Sequence, residues 1–202
     1  MRPLQNFRQR PSHFTSAKNA AAIPVAHNLV RDALVQAALD PAVREIEFIP
    51  TVVTFDKVVA LDAIVFRSDA GRQVLDIPEV RPLRCIDDEG LALLAADQLG
   101  LPVLRLTAAD IRRQPRAANS SMVWNCRHTR VQISDRVRLL QALSEDGPMP
   151  LARLSSEVRW GIDPVATVLA MACLDLVEID LTTVPVGPES VVRRRMGEGE
   201  TR

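Results

Sequence analysis

The sequence predicts an α/β protein, with an α/β core followed by a small helical module of winged-helix order. Three observations carry this reading. Apolar residues recur at helical spacing from residue 29, alternate or run unbroken between 43 and 77, and return to helical spacing beyond 134. Short turns separate these segments, and a helical stretch lies between strand-like ones. At 202 residues, 47% of them apolar, the chain has enough material for one substantial domain or two small ones.

Residues 1–26 read as a flexible N-terminal arm, because prolines, polar residues and an alanine run give no sustained period. Arg2, Arg8 and Arg10 are available there to phosphate, although a solvated tail is the commoner reading. Residues 27–115 are expected to form the α/β domain. Leu29, Ala33, Leu34, Ala37 and Ala38 define a helix over 29–39, with Asn28 as N-cap and Asp40-Pro41 as its end. Residues 43–55 alternate and give one or two strands broken at Pro50. Residues 58–66 form a nearly continuous apolar strand.

A turn at 68–71 leads to a returning strand over 73–77, which ends or bulges at Pro78 because proline has no N–H for a ladder. A second helix spans 87–99, with Leu91, Leu94, Ala95 and Leu99 inward and Gly100 at its end. A short strand covers 102–106. Thr107 and Asp110 then have the spacing of a capping box, with Asp in place of the usual Glu.

The basic, proline-interrupted residues 113–118 mark a boundary. Residues 116–195 are expected to form the winged-helix-like domain, and 196–202 a flexible tail. A linking helix over 120–128 precedes helices at 134–144, 151–158 and 164–174, the last capped by Asp163. Strands at 176–181 and 184–194 complete the order of a winged helix. The helix in the recognition position, PVATVLAMACL, carries no Arg, Lys, Asn or Gln to read bases. It reads as a core helix. The triplet Arg193-Arg194-Arg195 offers contacts to phosphate, so DNA and protein docking weigh equally for this module.

Net charge is zero, so bulk electrostatics announce no nucleic-acid partner, but a local basic face would suffice. No apolar run is long enough to span a bilayer, and the basic N-terminus lacks the apolar stretch of a signal peptide. The expected location is cytoplasmic, with no membrane partner. Cys85, Cys126 and Cys173 have no metal-ligand spacing, and an odd count argues against a disulfide framework.

The chemistry concentrates in residues 61–82. Asp62 is the lone charge in an apolar strand, and burying a carboxylate is costly unless it is paired or holds a metal. Asp76, Glu79 and Arg81 cluster after the returning strand. Carboxylates beside a guanidinium suit a metal-dependent phosphodiesterase, and they equally suit a hairpin with solvated charges.

The order of a helix, ALDPAVREIEFIP, the Asp62 strand, a turn with Asp-Ala-Gly, VLDIPEVRP, a helix, PVLRLTAADI, LLQAL and LVEIDL is similar to TnsA-type transposon endonucleases. The resemblance covers residues 28–194. It implies a restriction-endonuclease-like, PD-(D/E)XK-type domain, a mixed sheet flanked by helices, followed by a winged-helix-like domain. In that family one acid lies on the first helix, a second on a strand, and an E-x-K or Q-x-K pair on the next strand. The acids hold Mg²⁺ and the Lys steadies phosphate charge or orients water.

Carried over, Asp62 matches the strand acid, with Leu61 in place of Pro. The helix acid falls near Val30, with Asp32 close by. The third element is either Asp76-Ile77-Pro78 or Glu79-Val80-Arg81, with Arg for Lys. Arg stays protonated and is a poor proton acceptor. The resemblance thus implies Mg²⁺ held by Asp62 and by Asp76 or Glu79, with Arg81 on the phosphate. It also implies DNA as substrate and a transposase and an ATPase as partners. Two rivals stand beside this endonuclease: a catalytically inactive nuclease-fold subunit that binds DNA or a partner protein, and a winged-helix regulator with an unrelated α/β domain.

Overall fold

A computed structural model of the chain describes residues 12–54, 57–81 and 85–196. Strands β1 (Ser12–Phe14) and β2 (Ile23–Val25) pair as an antiparallel hairpin. This differs from the arm expected over 1–26. Phe14, Ile23 and Val25 are buried, and Phe14 stacks on Trp124 with ring centroids 5.3 Å apart. Three buried apolar side chains offset the entropy of ordering a short segment. Arg2, Arg8 and Arg10 lie outside the described residues, as does the tail beyond Met196.

Helix α1 (Asn28–Leu39) starts one residue before the expected span. Its N-cap is His27, whose Nδ1 accepts from Leu29 N, rather than Asn28. The five residues expected to face inward are all buried. Strands β3 (Val43–Thr54), β4 (Lys57–Ser68) and β5 (Gly71–Asp76) follow as an antiparallel meander. Pro50 does not break β3. It sits at a register shift between Ile49 and Thr51, where β4 carries one extra residue.

A 3₁₀ turn at Pro78–Val80 leads to α2 (Ile86–Leu99) and to β6 (Val103–Arg105), which pairs parallel to β5. The sheet order is β3-β4-β5-β6, mixed and flanked by helices. α2 packs on β3 and β4 through its small buried residues, Ala92 and Ala95. Leu94, expected inward, is exposed instead. Alanines let the helix approach closely, with Leu91 and Leu99 half-buried beside them and Leu93 exposed like Leu94.

Beyond α3 (Ala108–Ile111), helix α4 (Arg116–Asn125) packs against α1. Then come α5 (Ile133–Glu145), β7 (Met149–Pro150), α6 (Leu151–Ser156), α7 (Pro164–Cys173), β8 (Val177–Ile179) and β9 (Val191–Arg194). The sheet here is three-stranded, β7-β9-β8, one strand more than the expected ribbon. Asp163 caps α7, accepting from Ala166 N at 2.9 Å. The carboxylate of Asp135, fully buried, accepts from Arg159 N and Trp160 N, both at 3.1 Å, and so fixes the turn between α6 and α7.

One apolar cluster contains residues from both sides of residue 115, from Phe14 and Leu34 to Met171 and Val192. A charged joint reinforces it. Lys18, 5% exposed, donates to Asp40 O at 2.6 Å and lies 3.3 Å from Asp175 Oδ1. Burial pushes the Lys18 ammonium below its ordinary value, and the Asp175 carboxylate opposes that. Arg195 pairs with the same Asp175 at 3.3 Å and with Glu178 at 3.0 Å, and it donates to the carbonyls of Pro41 and Val43. Arg44 donates to Met196 O at 3.2 Å.

Removing one member of such a cluster strands its partners. Lys18→Ala is therefore expected to lower stability by about 2–4 kcal/mol, less than a fully buried pair because Arg195 still serves Asp175. Urea unfolding of the full chain measures it, and a loss within about 0.5 kcal/mol would show the joint to be ornamental.

Candidate functional site at the end of the central hairpin

The site is built where β5 ends. Asp76 is the last residue of β5 and stands in register with Arg105 of the parallel strand β6. Pro78 cannot extend the ladder, and the 3₁₀ turn it starts brings Arg81 back over Asp76. Arg81 Nε meets Asp76 Oδ1 at 2.7 Å and Nη2 meets Oδ2 at 2.5 Å, a two-point pair. Arg105 Nε lies 3.3 Å from the same Oδ2. Arg81, then Arg105, hold the Asp76 carboxyl below the usual carboxylate range against the opposing effect of burial. The Asp76 side chain is 15% exposed, while both arginines are more than half exposed.

Glu79 has a different task. Its Oε1 accepts from Ala108 N at 2.9 Å, at the first residue of α3. The same helix end carries the expected capping box: Asp110 Oδ2 accepts from Thr107 N, and Thr107 Oγ1 accepts from Asp110 N. Glu79 therefore ties the turn after β5 to the next helix.

Asp62 is exposed, not buried. It lies at the register shift opposite Pro50 and has a left-handed φ of 50°. Aspartate tolerates this conformation better than most residues because its short side chain bonds locally. The ladder pairs Val65 with Val74, so alternation puts Ala63 and Asp76 on one face and Ile64 and Leu75 on the other. On that other face Ile64, Phe66, Leu75 and Ile77 join the apolar clusters that contain α1. Val30, near which the resemblance expects an acid, is half-buried and packs into both clusters. Asp32 is exposed on α1.

Of the four singled-out residues, the structure joins Asp76 to Arg81, sets Glu79 on the helix N-terminus of α3, and leaves Asp62 exposed at the register shift of β4 with none of the other three as a hydrogen-bond or ion-pair partner. These residues do not fit Mg²⁺. A hard cation needs free carboxylate oxygens at one point, but Asp76 faces two guanidiniums and Glu79 is taken by an amide. Among the described residues no group of three or more His, Cys, Asp or Glu is placed to hold a metal ion. The cysteines are free thiols, and burial pushes Cys173 up to about 12.

The basic triplet is likewise divided. Arg195 is spent in the charged joint, and Arg194 donates to Ser144 Oγ at 2.8 Å. In α7, residues 167–173 are all buried, so the helix in the recognition position belongs to the core. Arg105 is the site residue that sequence reading missed. Its signal is the parallel register of β5 and β6, which no local pattern encodes. No helix among the described residues is long and apolar enough to cross a membrane. No family model matches the chain, and no curated protein matches it.

Two outcomes test this account. Asp62→Gly and Asp62→Asn should fold as the wild type does, whereas Asp62→Val should lose about 1–2 kcal/mol, because a β-branched residue resists a positive φ. Thermal unfolding of the three variants reads this directly. Asp76 has a depressed folded-state pKa, so its pair stabilises above the ordinary carboxylate range and the contribution disappears as pH falls through the folded value. The stability gap between wild type and Asp76→Asn should therefore stay level from neutral pH down to about pH 5 and narrow only as the pH falls below the ordinary carboxylate value of about 4. A pH-independent gap would remove the Arg81 pair from the explanation.

Proposed function

We propose that this chain is a catalytically inactive subunit built on a nuclease-like fold, which binds DNA and works beside other proteins. One observation carries the reading: the Asp76 carboxylate is held in a two-point pair by Arg81 and touched by Arg105. A guanidinium there takes the place that a divalent cation takes in a working phosphodiesterase. Arg remains protonated and cannot accept a proton from water. The order of a helix, three antiparallel strands, a helix and a parallel strand supports the nuclease-like part of the reading. A transposase and an ATPase are the partners the resemblance implies.

The endonuclease reading has one observation in its favour. Asp62, Asp76, Glu79 and Arg81 follow one another across the neighbouring strands β4 and β5 and the turn that leaves β5. For cleavage, Asp76 would have to leave both arginines and Asp62 would have to swing round its bulge.

The two readings separate in one assay. The full chain is mixed with labelled DNA duplex and with Mg²⁺ or Mn²⁺, wild type beside Asp62→Ala. Retention of DNA without nicking in either metal is expected. Metal-dependent nicking that disappears in Asp62→Ala would overturn the proposal and reinstate the endonuclease.

A further inference from the structure

Among the described residues, ten of the eighteen arginines form an ion pair with a carboxylate. Arg44, Arg67, Arg72, Arg81, Arg138 and Arg153, for example, each face a carboxylate. Against that background, a group of arginines with no ion pair among the described residues stands out beside α1 and α4. Arg31, Arg112 and Arg127 line two adjoining clefts of about 350 and 180 Å³. Arg31, Trp124 and Arg127 line both clefts, so the two lie side by side. The combined lining holds these three guanidiniums, His13 and His128, and a single carboxylate, Asp32.

The groove has both fixed and free cations. Arg127 is half-buried: Nη1 donates to Trp124 O at 3.0 Å, and the guanidinium lies 5.5 Å from the Trp124 ring centroid. It is held in place by its own neighbours. Arg31 and Arg112 are exposed and unconstrained. Ser120, at the back of the larger cleft, has a buried hydroxyl with no hydrogen-bond partner among the described residues.

The larger cavity beside β8 and β9 is a poor rival for an anion. It sets Asp40, Glu178, Asp180 and Glu189 against Arg116 and Arg193, and Arg116 already pairs with Asp40 at 3.0 Å. Like charges there repel a phosphate.

We propose that the α1–α4 groove is the surface on which this protein holds the phosphodiester backbone of DNA, with Arg31, Arg112 and Arg127 as its phosphate contacts. This rests on the DNA-binding reading above and moves the contact away from β5 and from the winged-helix-like module. An open groove with cations on three different elements suits a chain of phosphates rather than one compact anion. Exposed arginines that carry no base-directed framework suit contact that is independent of sequence.

The test uses the full chain and fluorescence anisotropy with labelled duplex and single-stranded DNA of arbitrary sequence, without divalent metal, over a range of salt. Arg31→Glu with Arg112→Glu should weaken binding at least about tenfold and flatten the salt dependence by about one to two counterions. The milder Arg31→Gln with Arg112→Gln should weaken it in the same direction, and circular dichroism checks that both remain folded. Arg136→Glu with Arg159→Glu, exposed and equally unpaired among the described residues, should change binding less than about twofold. If wild type binds DNA and the groove variants bind as well as it does, the groove assignment is overturned while the DNA-binding reading stands. If wild type binds neither duplex nor single strand at low salt, both fall together. The two DNA forms tell which backbone the groove accepts.

Discussion

The arrangement depends on the charged joint around Asp175. Lys18 comes from the loop of the first hairpin, Asp40 and Pro41 from the end of α1, and Glu178 and Arg195 from the last sheet. Asp175 itself has a left-handed φ of 57°, which turns the chain sharply from α7 into β8. Segments more than a hundred residues apart thereby share one set of counter-charges. A buried ammonium with no partner would be costly, so the charges select the one docking in which each is matched. The apolar cluster supplies the driving force, and the joint supplies the register.

That docking has a direct effect on surface chemistry. Because α4 lies against both α1 and α7, the helix that a winged helix would insert into DNA is covered. The same packing places Arg31 of α1 close to Arg127, just beyond α4, and opens the groove between them. The elements follow one another in the order of a winged helix, but the helix in the recognition position is part of the core. Meanwhile Arg81 and Arg105 close over Asp76 at the end of β5.

Much of this was legible in the sequence, and what was not has identifiable physical causes. α1 was readable because its buried residues repeat at helical spacing with no competing signal. The central hairpin was readable from its apolar runs and its turn. The clustering of Asp76, Glu79 and Arg81 was also visible, but not their partners. Arg105 reaches Asp76 only through a parallel pairing set by tertiary structure. Asp62 looked buried because it is the lone charge in an apolar run, but it sits at the register shift opposite Pro50 with a left-handed φ and is exposed. The first hairpin escaped notice because its strands have three residues each and depend on Trp124, far away in sequence, for their packing.

Pro50 has one more consequence. β3 forms an edge of the central sheet and is twelve residues long, the kind of strand that invites another chain to add on. Near its start, Ile46 N is already taken by Lys18 O at 2.8 Å. Further along, Pro50 has no N–H to offer, and the irregular pairing there twists the margin out of line. At the opposite margin β6 has only three residues, too few to template a partner. The bulge at which Asp62 lies exposed thus also guards a long open margin against self-association.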